Sequence, residues 1–563
     1  MRRQAVSPRQ TNSERRHLPG AAAADRLLSE ALRLQSAGNL EEAKQLYLRI
    51  LAVDVKHAWS LYGLGQISYL CGNLEVAARM VRRAIATNDR EPVYHAGLGS
   101  ILQSLGNLDD AAQEYQLSLA LEPCDAAIRG NLASVLFLLG RLKEAEVEYR
   151  RSLALDPNRL QVHTDLGGVL RASGKLEESA AEYHAALALD PNFAAAHNGL
   201  AQTLREQGRL EEAAPEYERA LALAPDSAHF HSNFGNLHLA RGLHREARES
   251  FERALSLDPD YKAVRWNRSL LDLLEGNYEQ GWRDYDLRCE LNFKPPRSFP
   301  RKRWRGEPLK GARILLHSEQ GLGDTLQFLR FVPLVHAAGG EVLLDVPCRV
   351  QRLAESLPGV AGLTVDGISL PEFDYHCPLM SLPLAFSTTL DSIPSATPYL
   401  RVPKQSEFAA TSFPWPRSGL RVGLVWSSGP IGPFRSMPLA MMEPLWDVEG
   451  IHFFSLQMGP AAFELAQSCK PITDLQERMS DLADTGALMN QLDLVITVDT
   501  CTAHLAGALG LPAWVLLPFA PDWRWLLDRE DSPWYSTLHL FRQPRPGDWR
   551  AIIDRIRREL ALL

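Results

Sequence analysis

At 563 residues the chain exceeds what one hydrophobic core serves, so two or more domains are expected. Its 45% hydrophobic and 23% charged residues are ordinary for a globular protein, and a net charge of −8 argues against a nucleic-acid footprint. No stretch approaches the ~20 apolar residues of a membrane span. The seven cysteines (71, 124, 289, 348, 377, 469 and 501) form no CxxC pair and show no metal-like His/Cys spacing, a usage that suits a reducing, cytoplasmic setting.

Residues 1–23 open with MRRQAVSPRQTNSERRHLPG, basic and polar without an apolar core, and read as a disordered tail. Beyond them eight glycines fall 34 residues apart: Gly38, Gly72, Gly106, Gly140, Gly174, Gly208, Gly242 and Gly276. Five residues after each stands a small residue: Ala43, Ala77, Ala111, Ala145, Ser179, Ala213, Ala247 and Gly281. Nine after each stands a large one: Tyr47, Val81, Tyr115, Tyr149, Tyr183, Tyr217, Phe251 and Tyr285. Pro123, Pro157, Pro191, Pro225 and Pro259 close five of the units. A fixed period with a glycine turn, a small contact and a bulky knob predicts stacked helix pairs.

Over about residues 24–295 this pattern resembles the tetratricopeptide repeat family. The last copy departs from it, with Arg288 and Phe293 where Ala and Pro are usual. The resemblance implies an α-superhelix whose concave groove takes extended peptides. Protein O-GlcNAc transferases line that groove with an asparagine ladder. Here the matching positions read Ser29, Gly63, Gly97, Asn131, Asp165, Gly199, Asn233 and Asn267, a broken ladder. Peptide binding, a homo-oligomer interface and a plain spacer all remain open for this half. The DxD segment Asp284-Tyr285-Asp286 falls in the last repeat's helix, where carboxylates two apart do not share a face, and reads as surface charge rather than a metal site.

After Lys294-Pro295-Pro296 the pattern changes. Residues 296–310 read as a linker whose basic run, Arg301 to Arg305, is either solvated or a domain contact. Short apolar runs then alternate with helical stretches, which predicts βαβ units and parallel sheets. Arg313–His317 and Glu341–Val346 read as strands with Thr325–Ala337 and Arg349–Ser356 as helices. A proline-rich hinge, Pro394 to Pro416, precedes strands at 421–426, 452–457, 493–498 and 513–517. Two Rossmann-like lobes are expected, at 311–405 and 406–563.

Ligands in such sheets sit at the carboxyl ends of strands. The first loop there is Glu319-Gln320-Gly321-Leu322-Gly323-Asp324-Thr325. Gly321 and Gly323 let the backbone approach a ligand, Gln320 joins them as an acceptor-loop candidate, and Leu326 breaks the dinucleotide fingerprint. Asp324 reads either as a general base or as a helix N-cap paired with Gln327. The second loop, Asp499-Thr500-Cys501-Thr502-Ala503-His504, opens a helix. Thr500 and Thr502 beside free N–H groups suit a diphosphate, Asp499 a sugar hydroxyl, and His504 a phosphate oxygen. The plainer alternative is that Asp499 or Thr500 caps the helix while His504 packs. Trp523, Trp525 and Trp534 suit packing or stacking on a ligand.

EQGLGDT, ITVDTCTAHLAGALGLPAWVLL and PFAPDWRWLLDREDSPWYSTLHLFRQP together resemble the glycosyltransferase family that includes the lipopolysaccharide heptosyltransferases. More narrowly, they resemble its bacterial branch fused to tetratricopeptide repeats. The resemblance implies a GT-B fold, a nucleotide-sugar donor and inverting transfer with no metal or other cofactor. It maps the catalytic base onto Asp324 and donor binding onto Asp499, Thr500 and His504. The loop Ser427 to Pro438 departs from that branch, which carries a longer polar segment there. Arg435, Ser427 and the helix N-terminus near Thr500 remain to meet the charge of the diphosphate, which leaves toward Thr500, Thr502, His504 and Arg435. Two functions are therefore expected to compete: transfer of a sugar to a protein or glycan acceptor presented by the repeats, and a non-catalytic repeat adaptor with a degenerate ligand-binding module.

Overall fold

The computed structural model describes residues 21–291, 297, 299–429, 433–466 and 471–563. The expected tail therefore lies outside the described residues up to residue 20, and a helix, Ala21–Ser36, already occupies its last three positions. The chain divides into two compact units between Pro225 and Asp226, inside the repeat array rather than at its end.

The first unit holds six helix pairs, from Ala21–Ser36 with Leu40–Val53 to Ala194–Glu206 with Leu210–Leu223. Each pair turns on its periodic glycine, whose φ lies between 74° and 84° from Gly38 to Gly208. That left-handed conformation costs an L-residue with a Cβ about 1–2 kcal/mol. It lets the next N–H reach back to a carbonyl of the ending helix, as Lys175 does to Leu170 at 2.9 Å. The small position is fully buried in every pair, at Ala43, Ala77, Ala111, Ala145, Ser179 and Ala213. The knobs fill notches left by other glycines: a Cβ on Gly63 would stand 2.4 Å from Tyr47 Cζ.

A second periodic device escaped the sequence reading because His and Arg alternate in it. His95–Glu114 (2.7 Å), Arg129–Glu148, His163–Glu182 and His197–Glu216 (each 2.6 Å) join the two helices of successive pairs.

The second unit begins with two further pairs, Ala228–Ala240 with His244–Leu257 and Lys262–Leu274 with Tyr278–Tyr285. Two wholly parallel sheets follow. The first comprises β1 (Lys302–Arg303), β2 (Arg313–His317), β3 (Glu341–Val346), β4 (Val360–Val365) and β5 (Tyr375–Pro378), in the order β1-β5-β2-β3-β4. The second comprises β6 (Leu420–Val425), β7 (Ile451–Ser455), β8 (Ile472–Asp474), β9 (Leu494–Val498), β10 (Ala513–Leu517) and β11 (Leu538–Arg542), in the order β11-β10-β9-β6-β7-β8. The second sheet starts centrally at β6, grows one way and then returns to the other side; the first does the same from β2, with the short β1 laid at its edge beyond β5. That places a topological switch point between β2 and β5 and another between β6 and β9.

Several expectations shift. The helix placed at 325–337 starts earlier and is broken, as Leu322–Phe328, a 3-10 turn and Val332–Ala337. Strands β1, β4, β5, β8 and β11 were not anticipated: β1, β5 and β8 are very short, and β4 is only half buried. The proline-rich passage carries a helix, Lys404–Thr411, and the N–H groups of Tyr399 and Leu400 both donate to Ala508 O.

The DxD segment is not surface charge. Asp284 is fully buried between Arg265 (2.5 Å) and Arg268 (2.9 Å), and Asp286 accepts from Ser381 Oγ at 2.8 Å and pairs with Arg303. The reason is that the last repeat is covered by the sheets instead of facing water. Tyr278, Trp282 and Tyr285 share one core with Phe328, Trp523 and Trp534, and the Trp282 and Trp523 rings meet edge to face at 5.2 Å. The basic run is accordingly a domain contact, with Arg303 on Asp286 and Trp304 buried.

Substitutions at two glycines separate backbone from packing effects. Nothing lies within 4 Å of a Cβ added at Gly140. Gly140→Ala should therefore cost about 1–2 kcal/mol from backbone strain alone, and Gly140→Asn less, because asparagine tolerates this conformation. Gly63→Ala, in an ordinary helical position, should cost about 1–3 kcal/mol by overpacking Tyr47. Urea unfolding followed by circular dichroism measures all three.

Candidate functional site

Two helix starts from different sheets converge in the second unit. Helix Leu322–Phe328 follows β2, and helix Cys501–Leu509 follows β9, so each begins at the carboxyl end of a strand beside a switch point. Gly323 makes the approach possible: a Cβ there would stand 2.7 Å from His504 Cδ2 and 3.4 Å from Cys501 Cα. What this glycine admits closely is thus the facing helix.

Asp324 is held at both oxygens. Oδ2 accepts the Gly321 N–H at 2.8 Å, and Oδ1 pairs with Arg524. The capping alternative is thereby corrected. Gly321 occupies the cap position, with Asp324 reaching back to its N–H from three residues on. Gln327 plays no part in the cap. It is fully buried, and its Oε1 accepts from Arg524 Nε at 2.5 Å.

Arg524 is the residue the sequence reading missed. Its guanidinium also pairs with Asp522 at 2.7 Å and lies 4.3 Å over the Trp523 ring. The segment DWRW carried the signal, but its tryptophans drew attention away from the charges between them. Those tryptophans pack: Trp523, Trp525 and Trp534 are all buried.

Asp499 is buried at the end of β9, and Arg435 Nη1 lies 3.5 Å from its Oδ2. Burial, and then the nearby Asp522 charge, push its carboxyl up to about 6. His504 is buried too, with Nδ1 3.0 Å from Tyr535 Oη and its ring stacked 5.5 Å from Trp525. Burial and the charges of Arg524, Arg330 and Arg435 hold it well below the usual histidine range, so it is neutral at pH 7. Thr500 is the N-cap of its helix: its hydroxyl accepts the Thr502 N–H at 3.2 Å and lies 3.1 Å from Thr497 Oγ1. Thr502 is buried in the first turn.

The loop after β6 leaves the sheet beside β9, since Val425 pairs with Thr497. Ser427 Oγ there donates to Ser436 Oγ at 3.3 Å, and Gln457 braces the loop by accepting the N–H groups of Trp426 and Ser427 at 3.0 and 2.9 Å. Residues 430–432 of this loop lie outside the described residues. Arg435 returns to Asp499 and so joins the two loops. Gln320 stands apart from the cluster, exposed on the rim of a cavity against the last two repeats. Among the described residues no group of three or more His, Cys, Asp or Glu is placed to hold a metal ion, and no helix is long and apolar enough to cross a membrane.

Models of the tetratricopeptide repeat match residues 28–92, 164–228 and 233–281, and a second such model matches 102–165. Residues 28–281 thus carry tetratricopeptide repeats, which suggest a protein-interaction scaffold. The chain is 28% identical over 327 residues to protein FlbA of Caulobacter vibrioides, a match spanning 52% of this chain and 54% of FlbA. It therefore spans about half the length of that relative. Among solved structures, PilF of Pseudomonas aeruginosa is 18% identical with a TM-score of 0.36, over 39% of this chain and 99% of PilF. YrrB, described as a TPR protein with an unusual peptide-binding site, is 21% identical with a TM-score of 0.29, over 34% of this chain and all of YrrB.

Two variants test this cluster. Arg524→Ala leaves two carboxylates facing an emptied buried site and should destabilise the protein by about 3–5 kcal/mol, read as a fall in Tm. Asp499 has its folded pKa raised, so the folded state binds the proton more tightly than the unfolded state does. Its contribution is favourable in acid and is lost as pH rises from about 4 through 6. Asp499→Asn should therefore be more stable than the native chain above pH 6, with the difference closing toward pH 4 in a pH series of thermal melts.

Proposed function

We propose that the two sheets form a GT-B-type transferase that moves a sugar from a nucleotide-sugar donor to an acceptor hydroxyl without a metal. The observation that carries this reading is the meeting of two strand-end helices from two doubly wound sheets, with Gly323 against His504 and Asp324 joined through Arg524 to the Asp499 side. Sites in such sheets lie at switch points, and here two of them supply one cluster.

In this reading Asp324 accepts the proton of the acceptor hydroxyl. Both its oxygens are engaged, yet each carries a second lone pair and the side chain is 21% exposed, which leaves room for one more donor. Arg524 orients the carboxylate. The acceptor oxygen attacks the anomeric carbon, and the diphosphate leaves toward the N-terminus of helix Cys501–Leu509, where Thr500, Thr502 and Arg435 meet its charge. His504 Nδ1 is hydrogen-bonded with the Tyr535 hydroxyl and its Nε2 faces the Gly323 side; the tautomer with the proton on Nε2 would offer the donor a neutral N–H there. Asp499 and Ser427 sit at the two strand ends flanking that helix start. The repeats present the acceptor, protein or glycan.

A second reading, a repeat scaffold whose sheets only bind or brace, is favoured by one feature. Asp324, Thr500 and His504 already have partners inside the protein.

A thermal-shift and hydrolysis screen of ADP-, UDP-, GDP- and TDP-sugars on the full chain decides between them. The transferase reading expects one donor to raise Tm, Asp499→Ala to weaken its binding, and Asp324→Asn to keep binding while turnover falls about 100-fold or more. Binding of none of the four leaves the scaffold. Unchanged turnover in Asp324→Asn removes only the base assignment.

A further inference from the structure

A cavity of about 370 Å³ lies beside the cluster, outside the residues assigned to donor and base. One wall is built by the first helices of the last two repeats, through Leu239, Trp266, Leu270 and Leu274. The segment Ala520 to Arg524 and the exposed Gln320 of the glycine loop also line it. The volume falls at the small end of the roughly 300–1,000 Å³ typical of ligand sites, the right order for one or two amino-acid side chains.

Three features define what fits. The repeat side is mostly aliphatic and aromatic carbon, with His244 and Tyr285 as its added polar groups, and so offers a sugar's many hydroxyls few replacements for the water they would lose. The Gln320 side-chain amide is exposed and has no hydrogen-bond partner among the described residues, so it can both donate to and accept from a peptide unit. Arg524, whose guanidinium holds Asp324, also lines the cavity, with its charge met by Asp522 beside it. A chain anchored here therefore lies one side chain away from the proposed base.

We propose that this cavity is an acceptor subsite that takes a bulky apolar side chain of a peptide, flanking the hydroxyl residue to be modified. This rests on the transferase reading for the peptide's fate and makes the acceptor a protein segment rather than a glycan. The repeat origin of one wall agrees with it, since these repeats suggest protein partners.

The test is binding of the full chain to an immobilised array of serine-centred nonapeptides, with each flanking position varied through leucine, phenylalanine, glycine, aspartate and lysine. One flanking position should prefer leucine or phenylalanine by roughly ten-fold or more, the discrimination expected from buried methylenes. Ala240→Phe, which fills the cavity from the repeat side, should erase that preference with nucleotide-sugar binding unchanged. Gln320→Ala, an exposed change that does not threaten folding, should weaken all peptides alike and keep the positional preference. No apolar preference at any position overturns the proposal, as does a preference that survives Ala240→Phe in folded protein or that is lost in Gln320→Ala. Selective peptide binding without any nucleotide-sugar binding supports the cavity assignment and removes the transferase. Sugar transfer to glycans with no peptide selection does the reverse.

Discussion

The second unit depends on one buried cation. Arg524 comes from the segment after β10, yet it spends its donors on Asp324 and Gln327 of the helix after β2, and on its own neighbour Asp522. An unpaired guanidinium at that depth would cost several kcal/mol, so the three acceptors and the Trp523 face have to be in place together. This condition ties the loops of two sheets into one arrangement. It also puts Asp324, the first candidate for chemistry, under the control of a residue from the other sheet. Asp499 shares the same field: Asp522 raises its pKa, and Arg435 and Arg524 oppose that rise.

The repeats obey a different constraint, the left-handed turn that only glycine makes cheaply, renewed every 34 residues. Where the last copy departs from the pattern, the departure has a target. Arg288, standing where alanine is usual, is buried and donates to Glu319 at 2.5 Å and to Ser381 Oγ at 2.8 Å. Glu319 opens the glycine loop that leads to Asp324. The final repeat therefore acts as a plate against which that loop is set, helped by the Tyr278, Trp282 and Tyr285 rings. Phe293, the other departure, lies outside the described residues.

The site carries both strengths and restraints as chemistry. Its histidine is neutral and hydrogen-bonded, its threonine cap already has an N–H, and its two aspartates differ in environment: Asp324 partly open and paired, Asp499 enclosed and raised. Pairs of carboxylates set apart in this way are where acid and base roles are divided in enzymes. The same internal partners satisfy Asp324, Thr500 and His504 from within the protein, the one feature that favours a purely structural role.

Much of the fold was legible because it is written in short-range periodicity. The glycine turns, the buried alanines and the tyrosine knobs each depend on neighbours at fixed helical offsets, and strands such as Arg313–His317, around Ile314 to Leu316, and Ala513–Leu517 are built on apolar runs. The loops of interest were found for the same reason, since glycine and a capping residue at a strand end are local signals. The His/Arg–Glu ladder was missed because two chemically different cations share one geometric slot. Strands as short as Tyr375–Pro378 were missed because four residues show no period.

By itself, then, the sequence determined that helix-pair repeats precede parallel α/β units, and which strand ends deserve attention. It took the three-dimensional packing to make Asp284 a buried and Asp286 a part-buried ion-pair partner, to set Gly323 against His504, and to let Arg524 hold Asp324 from two hundred residues away. The physical reason is common to all three. Burial and charge pairing depend on which surfaces meet, and partners so distant along the chain leave no periodic mark.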